Sequence, residues 1–374
     1  MGITDLFEPL KLAPGITLRN RVAMAPMTTW AAQDDGQVSD AEVAWYERRV
    51  GSVGLVITGC THVQANGIGF TGEFAADDDI YIPSLARLAA AAKSGGAPAI
   101  LQIFHAGAKT RADLVSDVVA ASAIEGEAGP FAQALMPRAL EDIEIEDVIR
   151  AFGEAARRAI LAGFDGVELH GAHGFLLQNF LSPHSNKRDD RWGGSLAGRM
   201  RFPLSVVAQV RQTITAHADR PFALGYRITC DEPYADGLRI ADSLALIDGM
   251  IAQGIDYLHV SLGDALTAKP VDGSDGATII ALLHDHLAGR IPLIAAGQIR
   301  TPQQARQALD MGLSAVAIGQ AWAMNPDWVD EAPEHPDAMP PLSISTQDVE
   351  PLAIPKKLWR IIDATPGWFP MRMA

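Results

Sequence analysis

The residues of this chain best suited to chemistry are two histidines three apart. His170 and His173 close the apolar run Gly166–Leu169, and Gly171 and Gly174 stand beside them. An imidazole can donate or accept a hydrogen bond and changes charge near neutral pH. Positions three apart on a regular strand face opposite sides, so both rings serve one site only if the backbone turns between them. The glycines permit that bend and leave room for a close approach. The alternative is a pair of polar residues in an ordinary loop.

Other candidates lie inside or just past apolar runs. Arg227, in LGYRIT, needs an anion if its run is buried. That anion is either an internal carboxylate such as Glu168 or part of a ligand. Gln102, in LQIF, needs a buried partner, because an unpaired amide costs a few kcal/mol. Pro26, Met27, Thr28 and Trp30 follow one run, Cys60 a second, Gly297 a third, and Gly319 and Gln320 a fourth. Glycines in AAGQIRT and AIGQA would let backbone N–H groups reach a phosphate, and the helix opening at Thr301-Pro302 would add its N-terminus. Plain turn chemistry accounts for the same glycines. Zinc, completed by a carboxylate such as Glu168, is the rival use of the histidines. Helical zinc motifs place two histidines four apart around a glutamate, which this pair does not match, and no metal is expected.

Eight short apolar runs carry these residues: Val22–Ala25, Leu55–Thr58, Ala99–Phe104, Gly166–Leu169, Phe222–Ile228, Tyr257–Val260, Leu293–Ala296 and Ala315–Ile318. Such runs suit parallel strands buried on both faces. Helical patterns separate them, at Ile145–Ala162, Ser243–Ile251, Ala277–Leu287 and Gln303–Leu309. Ser39 with Glu42, and Thr301 with Gln304, have the spacing of capping boxes. The alternation predicts a (β/α)₈ TIM barrel, whose chemistry sits at the C-terminal ends of the strands. A doubly wound sheet is the rival, but PMTTWAAQDDG follows the first run where a glycine-rich turn would be needed. Phe7–Arg19 reads as a hairpin turning at Pro14-Gly15. Two insertions, Lys109–Glu144 and Ser182–Gly194, follow the third and fourth runs. The expected organisation is one domain over 1–374, with a hairpin (1–20), a barrel (21–329) and a C-terminal arm (330–374) packed on the barrel or on a second subunit.

The sequence has 30 basic and 45 acidic side chains among 374 residues, a net charge of −15. That balance argues against nucleic acid or an anionic membrane as partner. Two cysteines far apart, Cys60 and Cys230, give no disulfide framework. The start, MGITDLFEPLKL, lacks the pattern of a signal peptide, and no run is long enough to span a bilayer, so a cytoplasmic protein is expected.

The phrases NRVAMAPMTT, LQIFHAGAKT, AGFDGVELHGAHGFLLQNFLSPHSNKRDDRWGGSLAGRMRFP, DYLHVSLGD and AAGQIRTPQQA run nearly end to end. In that order they resemble the Old Yellow Enzyme family of FMN-dependent ene-reductases, and its bacterial NADH:flavin oxidoreductase branch most closely. The resemblance implies FMN as cofactor and NAD(P)H as reductant. It implies ping-pong hydride transfer to the β-carbon of a small-molecule enone, and allows a homo-oligomer. Ala25, Pro26, Met27 and Thr28 would line the flavin, the Thr28 hydroxyl donating to O(4), with Cys60 beside it. Gln102 would meet the pyrimidine edge and Arg227 the N(1)–O(2) edge. Ala296, Gly297, Ile318, Gly319 and Gln320 would surround the phosphate. His170 and His173 would sit over the flavin and donate to a substrate carbonyl, with Trp30 and Phe175 in the substrate pocket.

Two positions depart from the family pattern. A tyrosine that protonates the α-carbon usually lies two after the second histidine, and here it is Phe175. An arginine that binds the phosphate usually follows the last glycine, and here it is Gln320, which implies looser FMN. The sequence reads as an ene-reductase without its usual proton donor. The alternatives are a flavin oxidoreductase with a non-enone acceptor, a demethylase-like activity, or a flavoprotein sensor or binding module.

Overall fold

The computed structural model describes residues 6–273, 276–334, 337 and 339–372. Eight short parallel strands form a closed ring: β1 (Val22–Met24), β2 (Leu55–Ile57), β3 (Ala99–Phe104), β4 (Gly166–Gly171), β5 (Ala223–Ile228), β6 (Tyr257–Ser261), β7 (Leu293–Ala296) and β8 (Ala315–Ile318). β8 pairs with β1, and β3 pairs with β4 with Leu101 opposite Val167, which closes the barrel. Helices α1 (Asp40–Glu47), α2 (Ile82–Lys93), α3 (Asp142–Leu161), α4 (Leu196–His217), α5 (Ile240–Ala252), α6 (Ile279–Leu287) and α7 (Pro302–Asp310) follow β1 to β7 in order. The expected TIM barrel is therefore the observed one. Helix starts were the least legible part, since apolar periodicity begins inside the polar cap: α3 starts at Asp142, capped by a Glu141–Glu144 box, and not at Ile145.

The hairpin pairs Leu10–Ala13 with Ile16–Leu18, and Gly15 makes the turn at φ 78°. Leu12, Ile16 and Leu18 pack in one cluster with Ala23, Leu55, Ile100, Ala223, Ile294 and Ala315, near the strand starts. One end of the barrel is thus plugged, and the C-terminal end is left for chemistry. The charged stretch after β4 is a fastening. Arg188 donates to the carbonyls of Ala121 and Leu140, Asn186 to those of Phe180 and Trp192, and the Trp192 indole to Asp142. These bonds tie the insertion after β3 to the one after β4. The C-terminal arm packs on its own barrel through α8 (Lys356–Ala364), which buries Leu358 and Ile362. Among the described residues no helix is long and apolar enough to cross a membrane.

The two expected capping boxes differ. At α7 both halves form between Thr301 and Gln304. At α1 the Ser39 hydroxyl accepts from the Glu42 amide, but the Glu42 side chain turns inward and accepts from the Thr29 hydroxyl at 2.5 Å. Its other oxygen is buried with no partner. Burial pushes the Glu42 carboxyl up to about 8, with the Thr29 bond opposing. From the ordinary value of 4.5 up to about 8, folded Glu42 keeps a proton that the unfolded chain releases. Stability from this group is therefore lost as pH rises through that window. Glu42→Gln, which does not titrate, should gain on the wild type by about 1.4 kcal/mol per pH unit in urea denaturation between pH 5 and 8. A difference independent of pH would mean that Glu42 is already ionised in the folded protein.

Candidate active site

Strand register sets the site. His170 lies opposite Arg227, Glu168 opposite both Gly225 and Gln102, and Arg227 opposite His259. Glu168 is two before His170, so both face the barrel interior. Its carboxylate accepts from Gln102 Nε2 at 2.7 Å, His259 Nδ1 at 3.0 Å and the Tyr257 hydroxyl at 3.1 Å. A Cβ at Gly225 would stand 2.0 Å from the Tyr257 ring, so the glycine makes room for that tyrosine. Burial alone would raise the Glu168 pKa, but His259, Arg227 and Gln102 outweigh it and hold it below its usual range. The barrel interior therefore carries an ionised carboxylate with its hydrogen bonds already made.

That outcome bears on Arg227. Among the described residues no ion pair joins it to Glu168 or to another carboxylate. One amino group donates to the Ser261 hydroxyl at 3.1 Å, and its buried Nε has no partner. Leaving such a donor unpaired costs about 1–3 kcal/mol, so the site calls for an acceptor from outside the chain.

The chain does turn between the histidines. His173 has φ 61°, which brings its ring to 5.0 Å from that of His170. His170 Nδ1 accepts from the Ala172 amide at 3.3 Å, which leaves the proton on Nε2. His173 Nε2 lies 2.7 Å from the Ser261 hydroxyl. That hydroxyl oxygen already accepts from Arg227, so its own proton can go to Nε2 and leave the His173 proton on Nδ1. Burial, then the His173 and Arg227 charges, hold His170 well below its usual pKa. His173 is also lowered, by lost hydration and by Arg227. Its ring is open to the cavity, so hydration is lost only in part and the Arg227 charge is the firmer cause. Both rings are neutral hydrogen-bond donors and not acids.

The cleft at the strand C-termini has two chambers that share Pro26, Met27, Arg227 and Trp368. The inner chamber, about 340 Å³, is lined by Ala25, Ala296, Gly297, Gly319 and Gln320 among others, and among the described residues no carboxylate is on its wall. The outer, about 230 Å³, adds Thr28, Trp30, Cys60, Gln102, His170, His173 and Phe175. Ile318 lines neither chamber. Its side chain is in the core, and its carbonyl accepts from the Ala25 amide. At the start of α7 the Gln304 side chain takes the amides of Arg300 and Thr301, and the Thr301 hydroxyl takes that of Gln304. Gln320 donates to the Trp368 carbonyl at 2.7 Å. Cys60 is buried, and its thiol is pushed up to about 12.

Sequence reasoning missed Ser261, Phe70, Phe131 and Trp368. Trp30 packs on Phe70, Phe131 and Trp368 at 5.5–5.8 Å, and Phe175 on His170 at 4.8 Å. The tryptophan in the C-terminal arm was the one available signal. Among the described residues no tyrosine, lysine or carboxyl lines the outer chamber. Among the described residues no cluster of three His, Cys, Asp or Glu could hold a metal ion.

The sequence profile of the NADH:flavin oxidoreductase / NADH oxidase family matches residues 5–337. The chain belongs to that family. A probable NADH-dependent flavin oxidoreductase of Bacillus subtilis, YqiG, is 40% identical over 98% of both chains. An NADH:fumarate oxidoreductase of Klebsiella pneumoniae is 39% identical over 95% of this chain, which spans 38% of that enzyme. The solved structure of the old yellow enzyme homologue from Zymomonas mobilis aligns with a TM-score of 0.77 at 24% identity, over 90% of this chain and 94% of that one. The fold is accordingly that of the Old Yellow Enzyme family. The protein is an FMN oxidoreductase that uses a nicotinamide nucleotide as reductant. The cleft suits that cofactor: an unsatisfied Arg227 N–H at the junction of the chambers, and a carboxylate-free inner chamber turned by Gly297 and Gly319.

A neutral His170 makes a measurable demand. Its imidazole nitrogen shifts should remain those of the Nε2–H tautomer from pH 8 down to pH 5. A titration near 6.5, the ordinary histidine value, would contradict the assigned burial and hydrogen bonding.

Proposed function

We propose that this flavoenzyme reduces the C=C bond of α,β-unsaturated carbonyl compounds, favouring acceptors strongly enough activated to need no positioned acid. The observation that carries this reading is the pair of neutral histidine donors facing a chamber walled by Trp30, Phe70, Phe131, Phe175 and Trp368. Bound in the cleft, FMN supplies the hydride carrier between NAD(P)H and the acceptor. Arg227 would meet the N(1)–O(2) edge, where negative charge gathers on reduction. Gln102 has one N–H on Glu168 and keeps the other for the pyrimidine edge. Thr28 would donate to O(4), and Gly297 and Gly319 would approach the phosphate.

His170 and His173 would hold the acceptor's carbonyl oxygen as charge grows on it. Preplaced donors in a dry site stabilise such an oxyanion without reorganising. Neither is a proton source at neutral pH, since both pKa values are lowered. Phe175 and Trp30 have no acidic proton to give. The α-carbon would then take its proton from water.

The same absence favours a second reading, in which the acceptor is not an enone and needs no carbon protonation at all. The Klebsiella relative is named for NADH and fumarate, an α,β-unsaturated dicarboxylate, but this chain spans 38% of it, so the acceptor chemistry there need not lie in the shared part.

His170→Ala or His173→Ala should cost on the order of 3 kcal/mol in the half-reaction with an enone and weaken phenol binding. Flavin reduction by NAD(P)H, which develops no oxyanion, should suffer less. Equal losses in both half-reactions would assign the histidines to the fold or to flavin binding.

Maleimides, whose enolates can wait for water, should be reduced fast and cyclohexenone slowly. Phe175→Tyr should narrow that gap, by up to ~10²–10⁴-fold where proton transfer limits the rate. Stopped-flow reoxidation by both acceptors measures it. Poor turnover of every enone by both proteins, with brisk NADH oxidation by other acceptors, would favour the second reading.

A further inference from the structure

We infer that Arg300, on the loop after β7, supplies the positive charge for the FMN phosphate, and that Gln320 serves instead to hold the C-terminal arm. The inference rests on the assignment of the phosphate to the inner chamber and goes beyond it by naming the charge.

The chain carries a net charge of −15, yet among the described residues no carboxylate lines the inner chamber. Its two cations among the described residues are Arg227 and Arg300. Arg227 also lines the outer chamber, so it stands at the junction and is taken up with the Ser261 hydroxyl and the ring edge. Arg300 lines the inner chamber alone. Its guanidinium is steadied by Gln298, whose side-chain oxygen accepts at 2.7 Å. Gln298 adopts φ 55°, a conformation a non-glycine residue rarely takes. The Arg300 backbone is clamped on both sides: its carbonyl accepts from the Trp328 indole at 2.8 Å and its amide donates to Gln304 at 2.8 Å. A guanidinium on a fixed backbone suits a phosphate, since two parallel N–H groups can meet two oxygens.

Gln320 has other work. Its amide fixes Trp368, which closes both chambers and packs on Trp30. On this inference the charge that position 320 lacks comes from the neighbouring loop.

Riboflavin lacks the phosphate, so it separates charge from shape. Full-length protein stripped of flavin is titrated with FMN and with riboflavin by fluorescence quenching. Arg300→Ala should raise the FMN dissociation constant about ten- to a hundredfold and leave riboflavin within about twofold. Arg300→Lys should recover part of the loss. The salt dependence of FMN binding should flatten in Arg300→Ala, because a screened charge contact is gone. Gln320→Ala should leave the ratio of the two constants unchanged. Equal weakening of both flavins by Arg300→Ala would overturn the inference, since that is the mark of local damage. Loss of discrimination in Gln320→Ala but not in Arg300→Ala would overturn it as well. A wild type that binds riboflavin as tightly as FMN would refute the placement of the phosphate itself.

Discussion

The carboxylate of Glu168 and the guanidinium of Arg227 lie inside one barrel, on neighbouring strands, without forming an ion pair. The rest of the site depends on that separation. Gln102, Tyr257 and His259 give Glu168 its hydrogen bonds, so the carboxylate is ionised and satisfied without Arg227. Had the two paired directly, the barrel would be charge-balanced and closed to ligands. Instead the negative charge steadies Arg227 from a distance, and the guanidinium keeps an N–H to offer. An unmet donor in a buried cleft is a cost that a bound acceptor removes, so binding of such an acceptor would be coupled to stability.

The same burial decides what the histidines can do. In water an imidazole near pH 6.5 would be a serviceable acid. Enclosed by Phe104 and Phe175 and facing Arg227, His170 is held neutral and acts as a fixed dipole. Ser261 links the two halves of the site, since it accepts from Arg227 and contacts His173. Arg227 and His173 are therefore linked through one hydroxyl.

Much of this architecture is legible in the amino-acid sequence. Short runs apolar on both faces suit buried parallel strands, and eight of them with helices between leave few folds other than the barrel. The histidine pair, Arg227 and the glycine turns stand out because each breaks the rule of its own run: polar or bendable where the neighbours are apolar. Glu42 shows where that legibility ends. Its spacing from Ser39 is that of a capping box, but the side chain found a buried hydroxyl instead, and nothing local distinguishes the two outcomes.

What the sequence by itself determined was periodic or local: the strands, most helix interiors, the hairpin turn, and the polar and glycine residues that the strand ends carry to the C-terminal mouth. Such features follow from which side chains must leave water and from backbone limits within a few residues. Only the tertiary structure decided which partners those residues take. Trp368 comes back from the C-terminal arm to wall the cleft, Gln320 is spent on holding it, and Arg300 lines the inner chamber from a different loop. Hydrogen bonds and charges act through space at a few ångströms, between residues tens to hundreds of positions apart. No period in the chain encodes which of several polar groups will meet once the barrel has closed.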